Sequence, residues 1–375
     1  MYRKQIQQII KDLNKKIVFI VGPRQVGKTW LAKKIGEQYS HTTYLNYDRF
    51  EDREIIKKEE WLKETELLIL DELHKMKNWK NYLKGVFDTK SSQIKILVTG
   101  SARIETFKEA GDSLVGRFFV HRLMPFSISE LQKEKKFANI DRLIKRGGFP
   151  EPFLVENSID ADRWRNQYIN DLIRTDILDF ERIHDIKNIQ MVFELLRRKI
   201  GSPISYNSIA RDVNISPITV KKYIEIFEAL YIVFKITPYS RNIARSILKE
   251  PKIYFYDNGL VIDDDGIKFE NFIAISLLKN ILGINDYFGK NKKLQYLRTK
   301  NQQEVDFAII DSQNNIEEII EVKLSNKNLS KNLKYFSQKY NLKAIQLVKN
   351  LKREKQIGDH IKILEAHNYL KQFFL

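Results

Sequence analysis

Gly22-Pro23-Arg24-Gln25-Val26-Gly27-Lys28-Thr29 follows the apolar run Ile17-Val18-Phe19-Ile20-Val21 and leads into Trp30-Leu31-Ala32-Lys33-Lys34-Ile35. The order reads as strand, glycine-rich loop, helix, and the spacing is G-x-x-x-x-G-K-T, the phosphate-binding loop signature. Gly22 and Gly27 let the backbone turn tightly and aim its N–H groups at an anion. The helix that follows adds the positive end of its dipole. Lys28 can reach the β- and γ-phosphates, and the Thr29 hydroxyl can ligate Mg²⁺. An ordinary glycine-rich turn between strand and helix would leave Lys28-Thr29 unexplained. Gly22 to Trp30 are therefore the expected nucleotide-binding residues.

Working outward, four more strands are expected at Thr43–Asn46, Leu67–Leu70, Ile94–Thr99 and Phe118–Leu123, with helices or loops between them. Such alternation implies a mostly parallel sheet covered on both faces. Leu67-Leu68-Ile69-Leu70-Asp71-Glu72 is an apolar strand ending in carboxylates. Asp71 would then stand at the carboxyl edge of the sheet beside Thr29, where it can hold Mg²⁺. Glu72 is the candidate to orient or deprotonate the attacking water; its bland role is a carboxylate near a helix start. The next strand ends Val98-Thr99-Gly100-Ser101-Ala102-Arg103, where Thr99 or Ser101 could sense the γ-phosphate, or simply serve a turn. Arg117 could neutralise charge on the transferred phosphoryl group, in cis or across a subunit contact in a homo-oligomer, or be a surface residue; Arg24 and Arg103 are rivals. His74 is either a loop residue or a touch on this site, and none of the six histidines has metal-ligand spacing.

GPRQVGKT, LILDELHK, TGSAR, SLVGRF, Leu123-Met124-Pro125-Phe126-Ser127 and Gly147-Gly148-Phe149-Pro150-Glu151 occur in that order. Together they resemble the prokaryotic AAA-like ATPases that carry a C-terminal domain of unknown function, along almost the whole chain. The resemblance implies an ATP-binding core with an extra strand between the two Walker strands and a glutamate beside the metal aspartate. Ser101-Ala102-Arg103 departs from the pair of serines more usual there, and Thr99 stands as the alternative sensor.

Three domains are expected: 1–146, 147–248 and 249–375, the first boundary set by the breaker cluster at Gly147-Gly148. In the middle domain a helix is expected around Trp164–Phe180, another at Ile189–Lys199, and a third at Ser205–Asp212. After a turn, Ser216 reads as an N-cap with Pro217 at the first helical position of Pro217–Leu230. That helix would bury Val220, Ile224 and Phe227 and leave Lys221 and Lys222 outward. A β-rich Tyr231–Ile236 follows. The sum resembles a winged helix-turn-helix, in which Arg211, Lys221 and Lys222 could meet DNA phosphates or base edges. Such elements also serve as spacers or protein contacts.

In the last domain a helix over Phe269–Leu282 carries Glu270, and strands are expected at Leu294–Arg298, Glu304–Ile310 and Ile316–Lys323. Alternation puts Glu321 and Lys323 on one face, with Asp306 on the neighbouring strand. This D…E-x-K arrangement resembles the core of restriction-endonuclease-like nucleases. The resemblance implies that Asp306 and Glu321 bind Mg²⁺, that Lys323 positions or activates water, and that Glu270 is a further acidic residue. A surface ion pair at a strand end, or such a fold without catalysis, is the plainer reading.

Composition narrows the partners. The chain has 375 residues and a formal charge of +17, which favours nucleic acid above all, or an anionic membrane surface, against a simple lysine- and isoleucine-rich bias. From Leu324 onward there are eleven Lys or Arg against three Asp or Glu. No cysteine is present, which excludes disulfides and thiolate zinc and fits a reducing, cytoplasmic setting. Ile6, Ile9, Ile10 and Leu13 at helical spacing form an amphipathic helix rather than a leader peptide, and no apolar stretch nears the ~20 residues of a membrane span. The expectation is an α/β P-loop ATPase using ATP and Mg²⁺ and acting with nucleic acid, DNA before RNA. The alternatives are a switch that binds DNA or protein without cutting and, less fitting, a small-molecule kinase.

Overall fold

Strand β1 (Ile17–Val21) is buried at all five positions, as a central parallel strand must be. Its side chains alternate. Ile17, Phe19 and Val21 face one layer of helices, and Val18 and Ile20 the other. The computed structural model describes residues 3–91, 93–100, 114–132, 139–173, 185–240, 250–299, 301–325 and 328–375. Ser101, Arg103 and the latter half of the helix expected around Trp164–Phe180 lie outside them. Among the described residues, contacts divide the chain into two compact units, Met1–Met124 and Pro125–Leu375.

In the first unit, β2 (Thr42–Asn46), β3 (Leu67–Asp71), β4 (Lys95–Thr99) and β5 (Phe118–Arg122) join β1 in the order β2-β3-β4-β1-β5, all parallel. Strand β4 lies between β1 and β3, which is the additional strand the resemblance implies. One face is covered by α1 (Ile6–Leu13) and α2 (Lys28–Gly36), through Ile9, Leu13, Leu31, Ala32 and Ile35. The other is covered by α3 (Phe50–Lys58) and α4 (Trp79–Thr89), through Ile56, Trp79, Leu83 and Val86. Each fully buried Leu, Ile or Phe contributes about 1.5–3 kcal/mol over an exposed one, so the two layers hold the strand ends in fixed register. That register sets Asp71 opposite Thr99, and Thr99 opposite Ile20.

Sequence punctuation at Gly147-Gly148 sets the boundary between the first and middle domains at 146/147; in the structure both sides of that corner belong to the second unit, and the division falls at Met124/Pro125. The reason is a buried polar knot. Helices α5 (Ile140–Arg146), α6 (Pro150–Leu154) and α7 (Ser158–Asp171) flank the corner at Gly147-Gly148. Gly147 has φ +69°, and a Cβ there would lie 1.8 Å from Asp257 Oδ1. Asp257 accepts from Arg165 (3.2 Å), Asn258 donates to the Ile144 carbonyl (2.6 Å), and Asn271 donates to Asn258 (2.8 Å).

Next come α8 (Ile186–Leu196), α9 (Tyr206–Val213) and α10 (Pro217–Ala229), then β6 (Val233–Ile236) antiparallel to β7 (Lys252–Phe255). Ser216 caps α10 by accepting from the Thr219 N–H, with Pro217 in the first turn. Val220, Ile224 and Phe227 are buried, with Tyr223 and Ile226 beside them, whereas Lys221 and Lys222 are exposed. Helix α11 (Asp265–Phe288) then precedes β8 (Lys293–Arg298), β9 (Glu304–Ile310), β10 (Ile316–Ser325), α12 (Lys331–Tyr340), β11 (Ala344–Asn350), β12 (Lys355–Ile357), β13 (Ile361–Glu365) and α13 (Ala366–Lys371). The strands form one mixed sheet in the order β12-β13-β11-β10-β9-β8. Asp311 accepts from the N–H groups of Gln313 and Asn315 and so turns β9 into β10. Among the described residues no helix is long and apolar enough to cross a membrane.

Candidate nucleotide site and a second acidic cluster

The loop after β1 has φ values that favour glycine at both signature positions, +143° at Gly22 and +97° at Gly27. At Gly22 there is also no room: a Cβ would sit 2.2 Å from the Leu123 carbonyl oxygen. Gln25 takes φ +58° at the exposed tip, and Pro23, Val26 and Lys28 are buried. Arg24 is half-buried and Trp30 is 40% exposed on the first turn of α2. The Lys28 ammonium donates to the carbonyls of Gly22 (3.0 Å) and Pro23 (2.7 Å), which keeps it against the loop.

Thr29 begins α2 and Asp71 ends β3, and the fold joins them: the Thr29 hydroxyl donates to Asp71 Oδ2 at 2.8 Å. Tyr44, in β2, donates to the same oxygen at 2.7 Å. The Thr99 hydroxyl, wholly buried, donates to Asp71 Oδ1. Three hydroxyls therefore fix one carboxylate. Thr99 faces Asp71, so in this geometry its first contact is with that carboxylate. Tyr44 was missed by sequence reasoning; only the pairing of Tyr44 with Ile69, two residues before Asp71, could have found it.

Glu72 adopts φ +57°, which costs a non-glycine residue on the order of 1 kcal/mol and turns its side chain out of the strand line. Its carboxyl is raised above the ordinary glutamate range, chiefly by burial, while Lys75 and Lys28 pull it down. His74 Nε2 stands 3.8 Å and Lys75 Nζ 3.5 Å from Glu72 Oε2. A glycine cradle, a lysine, and a hydroxyl beside a carboxylate form a donor set that suits a nucleoside triphosphate and Mg²⁺.

Arg117 is elsewhere. Its carbonyl accepts from the Ile17 N–H, so it sits at the opening end of β1. The loop starts at the other end of that five-residue strand, roughly 16 Å away at 3.3 Å per residue. Its guanidinium holds Asp88 through Nε (2.9 Å) and Nη2 (3.2 Å). Action in cis on this loop is corrected by that placement: no arginine side chain spans the strand.

In the second unit, Glu270, Asp306, Glu321 and Lys323 are brought together. Glu321 is 6% exposed; its Oε1 accepts from Lys323 (2.8 Å) and from Ser330 (3.1 Å), and its buried Oε2 has no hydrogen-bond partner among the described residues. Asp306 accepts from the Val322 N–H across the strand pair (2.8 Å). Burial first, and Asp306 second, push the Glu321 carboxyl up to about 7 and that of Glu270 to about 8. Two further residues, both on β7, were not foreseen. Tyr254 donates to Glu270 (2.7 Å), and the buried Lys252 ammonium lies 2.6 Å from Glu304 and 3.8 Å from Glu270. Among the described residues no trio of His, Asp or Glu side chains is arranged to hold a metal. Two carboxylates with one orphaned buried oxygen nevertheless form a hard, oxygen-only donor set of the kind Mg²⁺ takes.

Residues 14–132 match the family described as an AAA domain. Residues 137–268 and 265–369 match two domains of unknown function, DUF8612 and DUF4143. Among relatives, an uncharacterized protein of Mycobacterium tuberculosis is 24% identical over 308 residues, covering 78% of this chain and 67% of its own length. An uncharacterized protein of Methanocaldococcus jannaschii is 26% identical over 336 residues, covering 80% and 73%. Among solved structures, the Walker-type ATPase PABY2304 of Pyrococcus abyssi aligns at a TM-score of 0.45 with 12% identity, covering 69% of this chain and 94% of its own. With the loop and the Thr29–Asp71 contact, the match over residues 14–132 likens the amino-terminal part of this chain to a P-loop domain of the AAA type.

Proposed function

We propose that this chain is an Mg²⁺-dependent ATPase whose turnover is coupled to nucleic acid, DNA before RNA, through its second unit. The observation that carries the ATPase reading is the Thr29 hydroxyl 2.8 Å from Asp71 at the mouth of the Gly22–Lys28 loop. Bound Mg²⁺ supplies charge neutralisation on the phosphates. Thr29 and Asp71 would hold it, with Tyr44 and Thr99 keeping the carboxylate in place. Lys28 binds phosphate oxygens, and Glu72 takes the proton of the attacking water. In purified protein, Lys28→Ala should weaken nucleotide binding by about a hundredfold, the loss of one buried charge contact. Glu72→Gln should bind ATP and lose turnover. ATP hydrolysis surviving both changes would reject this site.

The coupling rests on the second cluster and on α10. Asp306 and Glu321 would hold a divalent ion, Lys323 would position water, and Glu270 would act as a proton donor or acceptor. Arg211, Lys221 and Lys222 would meet phosphates, as in a winged helix-turn-helix. A second reading, a nucleotide-dependent switch that binds DNA or a partner and cuts nothing, is favoured by the closed Lys323–Glu321 ion pair at 2.8 Å. Plasmid and single-stranded DNA incubated with Mg²⁺ or Mn²⁺, with and without ATP, separate the two. Cleavage lost in Asp306→Ala supports the nuclease; shifted but intact DNA supports the switch.

A further inference from the structure

Helix α12 lays a row of rings beside the end of β8 and the start of β10, and between them lies a cavity of about 530 Å³. Phe336 and Tyr340 form one wall, stacked with centroids 6.0 Å apart and planes 27° apart. Tyr340 is 51% exposed. Tyr239 forms another wall, its hydroxyl tied to the Asn314 carbonyl at 3.0 Å. Arg298 and Thr299 line the same cavity. Lys339 Nζ lies 5.0 Å and 5.4 Å from the ring centres of Tyr335 and Tyr340.

We propose that this groove binds a base of single-stranded nucleic acid, stacked on Tyr340, with Arg298 and Lys339 serving the adjoining backbone. Flat aromatic walls suit any base, because every base has a π-face, and cations along the rim suit phosphates. Such a slot admits a base only when it is turned out of a helix, which selects single strands over duplex. Charge points the same way: the chain carries +17, and the segment that includes α12 is strongly basic. Arg298 Nη1 also stands 3.2 Å from Glu304. The inference rests on the nucleic-acid reading of the second unit, but not on cleavage.

Fluorescence anisotropy tests it with the full chain, a labelled twelve-nucleotide oligo-dT and a hairpin duplex, in EDTA and without ATP. The expected result is preference for oligo-dT. Tyr340→Ala should weaken it about tenfold, the worth of one stacked base, while Tyr340→Phe binds as the parent does. Thr299→Trp, which fills the groove, should weaken it as well, and thermal melts check that each variant folds. Equal affinity of Tyr340→Ala and the parent, no preference over the duplex, or displacement of the oligonucleotide by a proline-rich peptide would each overturn the proposal. Cleavage is judged separately by Asp306→Ala on metal-loaded plasmid, so either idea can fail alone.

Discussion

Asp71 and Glu270 are both carboxylates in different surroundings. Asp71 accepts from three hydroxyls. Glu270 is buried among Asp306, Glu304, Lys252 and Tyr254, and burial is the main cause that pushes it up to about 8. The sign of the stability effect follows. The folded chain holds that proton more tightly than the unfolded chain, where the group titrates near 4.5. Its stabilising contribution is full below about 4.5 and is lost as the pH rises through 8. In EDTA, the melting temperature of the second unit should fall across that window, and Glu270→Gln should flatten the fall; scanning calorimetry at a series of pH values reads it. The sequence made Lys28, Thr29, Asp71 and Glu72 legible because a motif fixes their spacing along the chain. It hid Tyr44, Lys252 and Tyr254, because each reaches its partner only through strand register.

At the scale of elements, the five strands of the first sheet were readable almost to the residue, and for the central β1, β3 and β4 the reason is that buried parallel strands are nearly unbroken apolar runs. The place of β4 between β1 and β3 came from the resemblance; the places of β2 and β5 came only from the structure. Helix α10 was readable from its Ser216-Pro217 start. What the pattern hid was the corner at Gly147-Gly148, where sequence punctuation looks like a linker. In the structure the corner is bolted to Asp257, Asn258 and Arg165 instead. A flexible linker would tolerate Gly147→Ala. This corner should not, because positive φ and a 1.8 Å approach to Asp257 combine. We expect a loss of about 2–4 kcal/mol in the second unit with the first unit's transition unmoved, read as one of two separated melting steps.

For the whole molecule, Arg117 is the residue through which a second copy is tested. It lies at the edge of the sheet opposite the loop and so cannot serve its own triphosphate. If it serves a neighbour's, Arg117→Ala should lose turnover while keeping ATP affinity. Mixing it with Lys28→Ala should restore part of the rate, since mixed assemblies contain one intact shared site; a mixture as inactive as its parts would assign Arg117 to the Asp88 ion pair alone. The polar knot has a different consequence, one of timing. Asn258 and the Ile144 carbonyl it holds are 114 residues apart. At about 5–20 residues per second, a ribosome needs on the order of ten seconds to make that span. The first sheet can close as soon as Arg122 emerges, whereas the corner between helices α5 and α7 gains its locking contacts only once Asp257 and Asn258 have been made.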